Sequence, residues 1–371
     1  MLFSARKALT LSFLLAFGIA AGAAAETAPS PKGDVAQVRY QGGEQYMVTL
    51  NTLHMGTVIN IKTYAKKSED AHRFADRADE LATKYDDLFT VHRDSPLNEV
   101  NRLSGQKVAV PGEIADLVRR SVAVAALTDG AFEPTIGRLV NVWRIGFGGE
   151  HVPTSEAIKE AVKTVDYRQV KVGELDNGEA YVQIAPGQSL DLGGIAKGYI
   201  GTRMQEELKA EGLARGVLSL GGNVVAIGTR PDGKPWKIGL QHPEEERNAY
   251  FGYVEATDES VITSGAYERY FVENGKRYGH ILDPKTGQPV KTDVVSVSIV
   301  DSDGARADAL CTAFFGIGWD RSIELLKKHP EMKVILLNGD MKSVAVTPAA
   351  KAVFVLTDKA MTVTEITPQT K

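Results

Sequence analysis

The chain has 371 residues, 43% of them hydrophobic and 24% charged, with a formal net charge of −4. This composition is that of a globular protein with a sizeable core, and it excludes the basic surplus that nucleic-acid binding requires, which leaves metabolites or other proteins as partners. The single cysteine, Cys311, excludes an internal disulfide and reads as a small buried apolar residue.

Residues 1–25 read as an export signal rather than as fold. Arg6 and Lys7 form a positive start, Ala8 to Ala21 is mostly apolar, and Ala23-Ala24-Ala25 offers small residues for cleavage before Glu26. The alternative is a retained anchor, although the apolar run is short of the ~20 residues a spanning helix needs. No cysteine follows the run, so a lipid-modified N-terminus is not expected. Residues 26–44 are rich in Pro, Gly and polar residues and read as a flexible leader.

Strand character follows from Met47 to Thr63, broken at Met55-Gly56. Ser68 is placed to cap a helix in which Ala71, Phe74, Ala78, Leu81, Tyr85 and Leu88 recur at helical spacing. A second helix follows Pro111-Gly112 and ends near Gly130, and a third covers 154–165. Two strands flank Asp176-Asn177-Gly178, and a helix ahead of Gly212 presents Ile195, Tyr199, Met204 and Leu208. Strands are expected at Val217-Leu220, Val224-Ile227 and Trp236-Leu240. A further strand, Val294 to Val300, should place Val295, Val297 and Ile299 on one face. Helices near 304–316 and 320–328 precede the strands KVILLN, SVAVTP and AVFVLT. Helices and strands do not alternate strictly, so the fold class expected is α+β, with mixed or antiparallel sheets and packed helices in one domain over 45–360 and a tail over 361–371.

Several polar, glycine-bearing stretches could carry chemistry. LDLGGIAKGY (190–199) places an acid, a glycine pair and a lysine where a strand should run into a helix, so it suits either an anion held at a helix N-terminus or a structural tight turn. It is no P-loop, because Lys197 is followed by Gly198 rather than Ser or Thr. Asp308 and Thr312 are four apart in a helical stretch and share a face. A carboxylate and a hydroxyl together suit a hard cation such as Mg²⁺, but the same spacing suits a solvent-facing acid beside a threonine bonded to its own helix. His280 lies between Gly279 and Ile281-Leu282. An imidazole there can move a proton near neutral pH or serve a structural role.

In this order, MGT (55–57), TDGAFEPTIG (128–137), LDLGGIAKGYI, LSLGGN (218–223), ITSGAYERYF, GHILDPKTGQP and ADALCTAFF resemble the motifs of the FAD:protein FMN transferases, the ApbE family, and they run from about residue 52 to 318. The resemblance implies an α+β, T-fold-like transferase domain. It also implies Mg²⁺-dependent transfer of FMN from FAD to a threonine or serine of a target redox protein through a phosphoester bond, with release of AMP. Carried over position by position, it marks Met55, Ala131, Phe132, Glu133, Asp191, Lys197, Ser264, Gly265 and Ile281 as FAD contacts. Gly194 through its carbonyl, with Asp308 and Thr312, matches the metal ligands, and His280 matches the proton acceptor and a further FAD contact. Glu133 stands where the family usually has Asp, and Gly193-Gly194 replaces a commoner Ser/Gly-Ala pair.

The partners so implied are FAD and an acceptor, either the redox subunit of a membrane complex of the NADH:quinone reductase or Rnf type or a periplasmic flavoprotein, with no nucleic acid. With an export signal and no lipobox cysteine, the expected location is the periplasm. Two rival readings of the same site are an Mg²⁺-dependent FAD pyrophosphatase giving FMN and AMP, and a non-catalytic periplasmic FAD-binding protein.

Overall fold

The structure is a computed structural model and describes residues 34–40, 43–146, 150–246, 249–265 and 270–369. The expected export signal lies outside the described residues, as do residues 266–269 of the SGAYERYF stretch.

The described residues open with three antiparallel strands, β1 (Asp34–Tyr40), β2 (Gly43–His54) and β3 (Thr57–Ala65). Part of the expected leader is therefore sheet: Asp34 to Tyr40 pairs along its whole length with Gly43 to Thr49. Polar composition suggested a loose segment, but β1 gains its hydrogen bonds from the edge of β2 and needs no apolar face of its own to do so.

Helix α1 (Ser68–Phe89) follows, with Lys67 rather than Ser68 at its N-cap position and no side-chain cap. Then come α2 (Pro96–Arg102), β4 (Val108–Ala109), α3 (Gly112–Leu127), α4 (Gly137–Trp143) and α5 (Ser155–Val162). A single 3-10 turn at Tyr167–Gln169 leads to the hairpin β5 (Lys171–Glu174) and β6 (Ala180–Gln183). Helix α6 (Ala196–Ala210) precedes β7 (Arg215–Leu220), β8 (Asn223–Ile227), β9 (Trp236–Gln241), β10 (Tyr250–Ala256) and β11 (Ser260–Gly265). A small hairpin, β12 (Tyr270–Glu273) and β13 (Lys276–Gly279), leads to β14 (Val294–Asp301), α7 (Gly304–Ile317) and α8 (Trp319–Leu326). The described chain closes with β15 (Lys333–Asn338), β16 (Ser343–Val346), α9 (Pro348–Lys351), β17 (Phe354–Leu356) and β18 (Thr362–Glu365).

Among the described residues ten strands form one sheet in the order β1-β2-β3-β7-β8-β11-β14-β15-β16-β18, and every pairing in it is antiparallel except β16 with β18. The expected tail thus contributes a strand, held because Met361 and Ile366 at its ends are buried. On one face, α1, α6 and α7 cover the sheet and bury the main core, which includes Ile59, Ile61, Leu218, Leu220, Val225 and Ile262. On the other face the three-stranded sheet β17-β10-β9 packs Trp236, Ile238, Leu240 and Phe251 against Val261, Val300 and Ile335. A third cluster joins Leu139 and Trp143 of α4 to Ile158 and Ala161 of α5 and to Leu282. No helix among the described residues is long and apolar enough to cross a membrane.

The alternation read along β14 is interrupted. A bulge between Val294 and Ser296 inserts one residue, so Val294 joins Val297 and Ile299 in the main core while Val295 turns to the opposite face.

Helices α6 and α7 cross with their backbones in contact. A Cβ placed on Gly198 would lie 2.0 Å from the Gly304 carbonyl oxygen and 2.8 Å from Asp308 Cβ, and one placed on Gly304 would lie 2.5 Å from the Gly198 oxygen. Gly316, also in α7, has open space around it. Gly198→Ala should therefore cost about 3 kcal/mol, because backbone rather than a flexible side chain has to move. Gly316→Ala should stabilise by about 0.5–1 kcal/mol through helix propensity. Urea unfolding of the two variants checks both signs.

Candidate active site

Two segments distant in sequence are stitched together around Leu190. Asn101 Oδ1 accepts from the Leu190 amide at 2.6 Å and its Nδ2 donates to the Leu190 carbonyl at 2.9 Å. Gly137 N donates to Ser189 O, and Asp191 N to Pro134 O, each at 2.9 Å. Asp191 Oδ1 then accepts from Gly193 N at 2.8 Å, a side-chain turn that reverses the chain ahead of α6. The stretch 190–195 is consequently a turn entering a helix. The strand expected there is reduced to one bridge between Ser189 and Ile136, because a side chain has taken over the backbone pairing of Leu190.

The crossing of α6 and α7 sets the next group. Asp308 is only 3% exposed, and its Oδ2 accepts from Gly198 N, in the first turn of α6, at 2.9 Å. A buried carboxylate at a helix N-terminus meets both an unpaired N–H and the positive end of the helix dipole. Thr312, one turn along α7, has its hydroxyl 3.2 Å from where a Cβ of Gly194 would sit, and the Phe132 ring is 3.3 Å from the same point. Its hydroxyl also bonds to the Asp308 carbonyl at 3.3 Å. Lys197 Nζ reaches back to the Gly193 carbonyl at 3.4 Å. Asp308, Thr312, Gly194, Phe132, Lys197 and Asp191 therefore converge on the entry to α6. The solvent-facing alternative for Asp308 is removed by its burial.

Phe132 and Glu133 follow a left-handed pair, Asp129 (φ 50) and Gly130 (φ 73), that ends α3. Thr128 Oγ1 accepts from Phe132 N at 3.2 Å and fixes the segment. The carboxylate of Glu133 is committed locally. Its Oε1 accepts from Thr135 N and Thr135 Oγ1 at 2.9 and 2.8 Å, and its Oε2 from Tyr167 N at 3.1 Å. Burial pushes its pKa up, against the pull of these three donors. Glu133 thus shapes this wall of the site through the backbone it holds.

Met55 occupies the tight turn between β2 and β3 at φ 52, a conformation uncommon for a residue with a side chain, and it packs on the main core. The β7–β8 turn abuts it: a Cβ on Gly221 would lie 2.5 Å from Thr57 Oγ1. Ser264 is in register with Val297 of β14, two residues beyond Ile262 and on the same face of β11, the face covered by α7. Gly265 ends that strand.

His280 and Ile281 follow β13. Their segment is anchored where Trp143 Nε1 donates to Gly287 O at 2.7 Å and Lys285 Nζ lies 3.9 Å from Asp129 Oδ2. This docks 279–287 against 128–137, with His280 half-buried and Ile281 against the main core.

Two clefts border the 128–137 segment. One of about 240 Å³ is lined by Asn98, Asn101, Asn141, Ser189 and Asp191. The other, about 390 Å³, runs between Asp129, Gly130 and Glu133 on one side and Pro284 and Lys285 on the other. Among the described residues no cluster of three or more His, Cys, Asp or Glu could hold a metal ion. What the entry to α6 offers is the carboxylates of Asp308 and Asp191, the Thr312 hydroxyl and the peptide oxygens of the glycine pair.

Sequence reading did not find Asn101, Gly198 or Gly304. Asn101 acts through a pairing 89 positions away, and the two glycines act only through a helix crossing.

A family model described as "ApbE family" matches residues 55–336. A FAD:protein FMN transferase of Klebsiella pneumoniae is 33% identical over 296 residues, covering 79% of this chain and 90% of the relative. A crystal structure of the ApbE protein of Thermotoga maritima superposes with a TM-score of 0.75 at 32% identity, covering 82% of this chain and 98% of that one. The apo flavinyl transferase ApbE of Pseudomonas stutzeri gives 0.71 at 28% identity, covering 83% and 97%.

Asn101→Ala should lower stability by about 2 kcal/mol, since it leaves the N–H and C=O of buried Leu190 unpaired together. Asn101→Asp keeps the acceptor but sets a carboxylate oxygen against the Leu190 carbonyl, so it should lose at least as much. Urea denaturation midpoints report both.

Proposed function

Because the chain belongs to the ApbE family, we propose that it transfers FMN from FAD to a threonine or serine hydroxyl of an acceptor protein and releases AMP. The observation that carries this reading is the convergence, at the N-terminal turn of α6, of buried Asp308, the Thr312 hydroxyl, Gly194 and Lys197. Helix N–H groups and a lysine favour anionic oxygens, and the diphosphate of FAD is the anionic part of the substrate.

The same residues fit Mg²⁺. The donors are oxygens, and only one of them is a carboxylate, which suits an ion that keeps waters and shares phosphate oxygens rather than one held in an all-protein cage. Asp308, Thr312 and the Gly194 carbonyl would hold it. When bound, it would neutralise charge building on the diphosphate, a contribution of several kcal/mol.

The remaining work falls to the chain's own side chains. Asp191, Lys197, Met55, Ala131 to Glu133, Ser264-Gly265 and Ile281 bracket FAD. Glu133 acts from behind, by holding the Thr135 and Tyr167 amides. His280 accepts the proton of the acceptor hydroxyl as its oxygen attacks the FMN-side phosphorus. The acceptor O–P bond forms, the diphosphate P–O bond breaks, and AMP leaves with the electron pair. A general base in this position is worth ~10²–10⁴ in rate. Export by the segment 1–25 would place the reaction in the periplasm. The acceptor there would be a redox subunit of a membrane complex of the NADH:quinone reductase or Rnf type, or a periplasmic flavoprotein.

The test mixes the protein with FAD, Mg²⁺ and such a subunit, and reads flavin fluorescence of the denatured acceptor in a gel. A fluorescent acceptor band, lost on chelation, is expected. Rapid AMP release with no labelled acceptor would instead establish the pyrophosphatase, and FAD binding with neither product a binding protein. Asp308→Ala should reduce labelling about a hundredfold or more. His280→Ala should keep FAD affinity while labelling falls ~10²–10⁴-fold; loss of FAD binding in that variant would remove the base assignment.

A further inference from the structure

One buried side-chain donor on the α6 face has no hydrogen-bond partner. Asn223 is 3% exposed, and its Nδ2 is fully buried without a hydrogen-bond partner. Buried amides are almost always paired, since an unpaired donor has lost its water and gained nothing in exchange. The next residue inward on this face, Val225, is apolar.

The position of Asn223 follows from the register. It pairs with Leu220 across the β7–β8 turn, as Val225 pairs with Leu218, and these three partners all belong to the main core. Asn223 therefore shares the sheet face that α6 covers. Along that face α6 runs with β8. A Cβ on Gly201 would lie 2.6 Å from Val225 Cγ2, and Gln205 Nε2, one turn further, donates to Ala226 O at 2.7 Å. Followed backwards, the same path leads from Val225 to Asn223 and from Gly201 towards Gly198, whose amide meets Asp308. Strand β11, paired with β8 at Val224 and Val225, passes this point on its way to Ser264.

We propose that the side-chain amide of Asn223 is a further hydrogen-bond donor of the site, directed at an oxygen of the FAD diphosphate. The assignment rests on the reading that this end of α6 receives FAD. A neutral donor suits the place, because it favours an anionic oxygen without adding a second negative charge beside buried Asp308. The cost of leaving the amide unpaired in the free protein is then recovered when substrate arrives.

The test compares Asn223→Ala and Asn223→Leu with the wild type in three measurements: affinity for FAD and for ADP, affinity for riboflavin, and thermal unfolding of the free protein. Both variants should bind FAD and ADP roughly tenfold more weakly, a difference of about 1.4 kcal/mol per hydrogen bond. Riboflavin, which has no phosphate, should bind each as it binds the wild type. Both variants should melt at or above the wild-type temperature, since an unpaired buried donor has been removed. Unchanged FAD and ADP affinity would overturn the assignment. So would a melting temperature lowered by several degrees in both variants, or an equal loss of riboflavin binding, because either would mean that the amide supports the fold. A wild type that binds neither FAD nor ADP would overturn the reading of the whole site, and this assignment with it.

Discussion

The approach of α6 to α7, backbone against backbone at Gly198 and Gly304, is the constraint on which the site depends. Ordinary helix pairs are held 8–10 Å apart by their side chains. Here neither helix carries a side chain at the crossing, and Gly304 N also donates to Thr202 Oγ1 at 3.0 Å. Only at that separation can the short side chain of Asp308 reach the Gly198 amide. Thr312, one turn further on, then faces Gly194 at the mouth of the same helix. A wider crossing would leave the carboxylate stranded in the core, where an unpaired charge is costly.

Around this crossing, polar side chains hold irregular backbone in place. Asn101 replaces a strand partner for Leu190, Asp191 turns the chain through Gly193, Thr128 fixes Phe132, and Glu133 gathers the Thr135 and Tyr167 amides. Loops of this kind cannot be buried unless their N–H and C=O groups are paired. The acids and amides named here are therefore engaged in shaping the wall. Asn223 differs from them in that its Nδ2 has no hydrogen-bond partner.

The large sheet supplies the rigidity. Its helical face carries Asp308, Thr312 and the entry to α6, while its other face is sealed by the β17-β10-β9 layer. The bulge at Val295 lets β14 serve both layers: before it Val294 packs under the helices, and after it Ser296 and Ser298 turn towards the second sheet. The segment bearing His280 is attached separately, through Trp143, Leu282 and Lys285, to the smaller helical cluster. Two separately anchored parts thus border the candidate site, one with Asp308 and Thr312 and one with His280.

The amino-acid sequence determined the chemical inventory and most of the regular elements. Helical spacing located α1, α3, α6 and α7, Asp176-Asn177-Gly178 located the β5–β6 hairpin, and the ordered motifs supplied the family and nearly every candidate residue. These are local properties, in that periodicity, turn chemistry and short motifs express themselves within a few residues. Only the tertiary structure decided what depends on a partner far along the chain. The strands β1 and β18 exist because an edge was there to pair with, and Glu133 turned inward because its donors are backbone amides as far away as Tyr167. Asp308 became a buried group because Gly198, 110 positions earlier, was brought against it. Spacing along one helix fixes which side chains share a face, whereas what that face meets is set by packing over long loops, which no local pattern encodes.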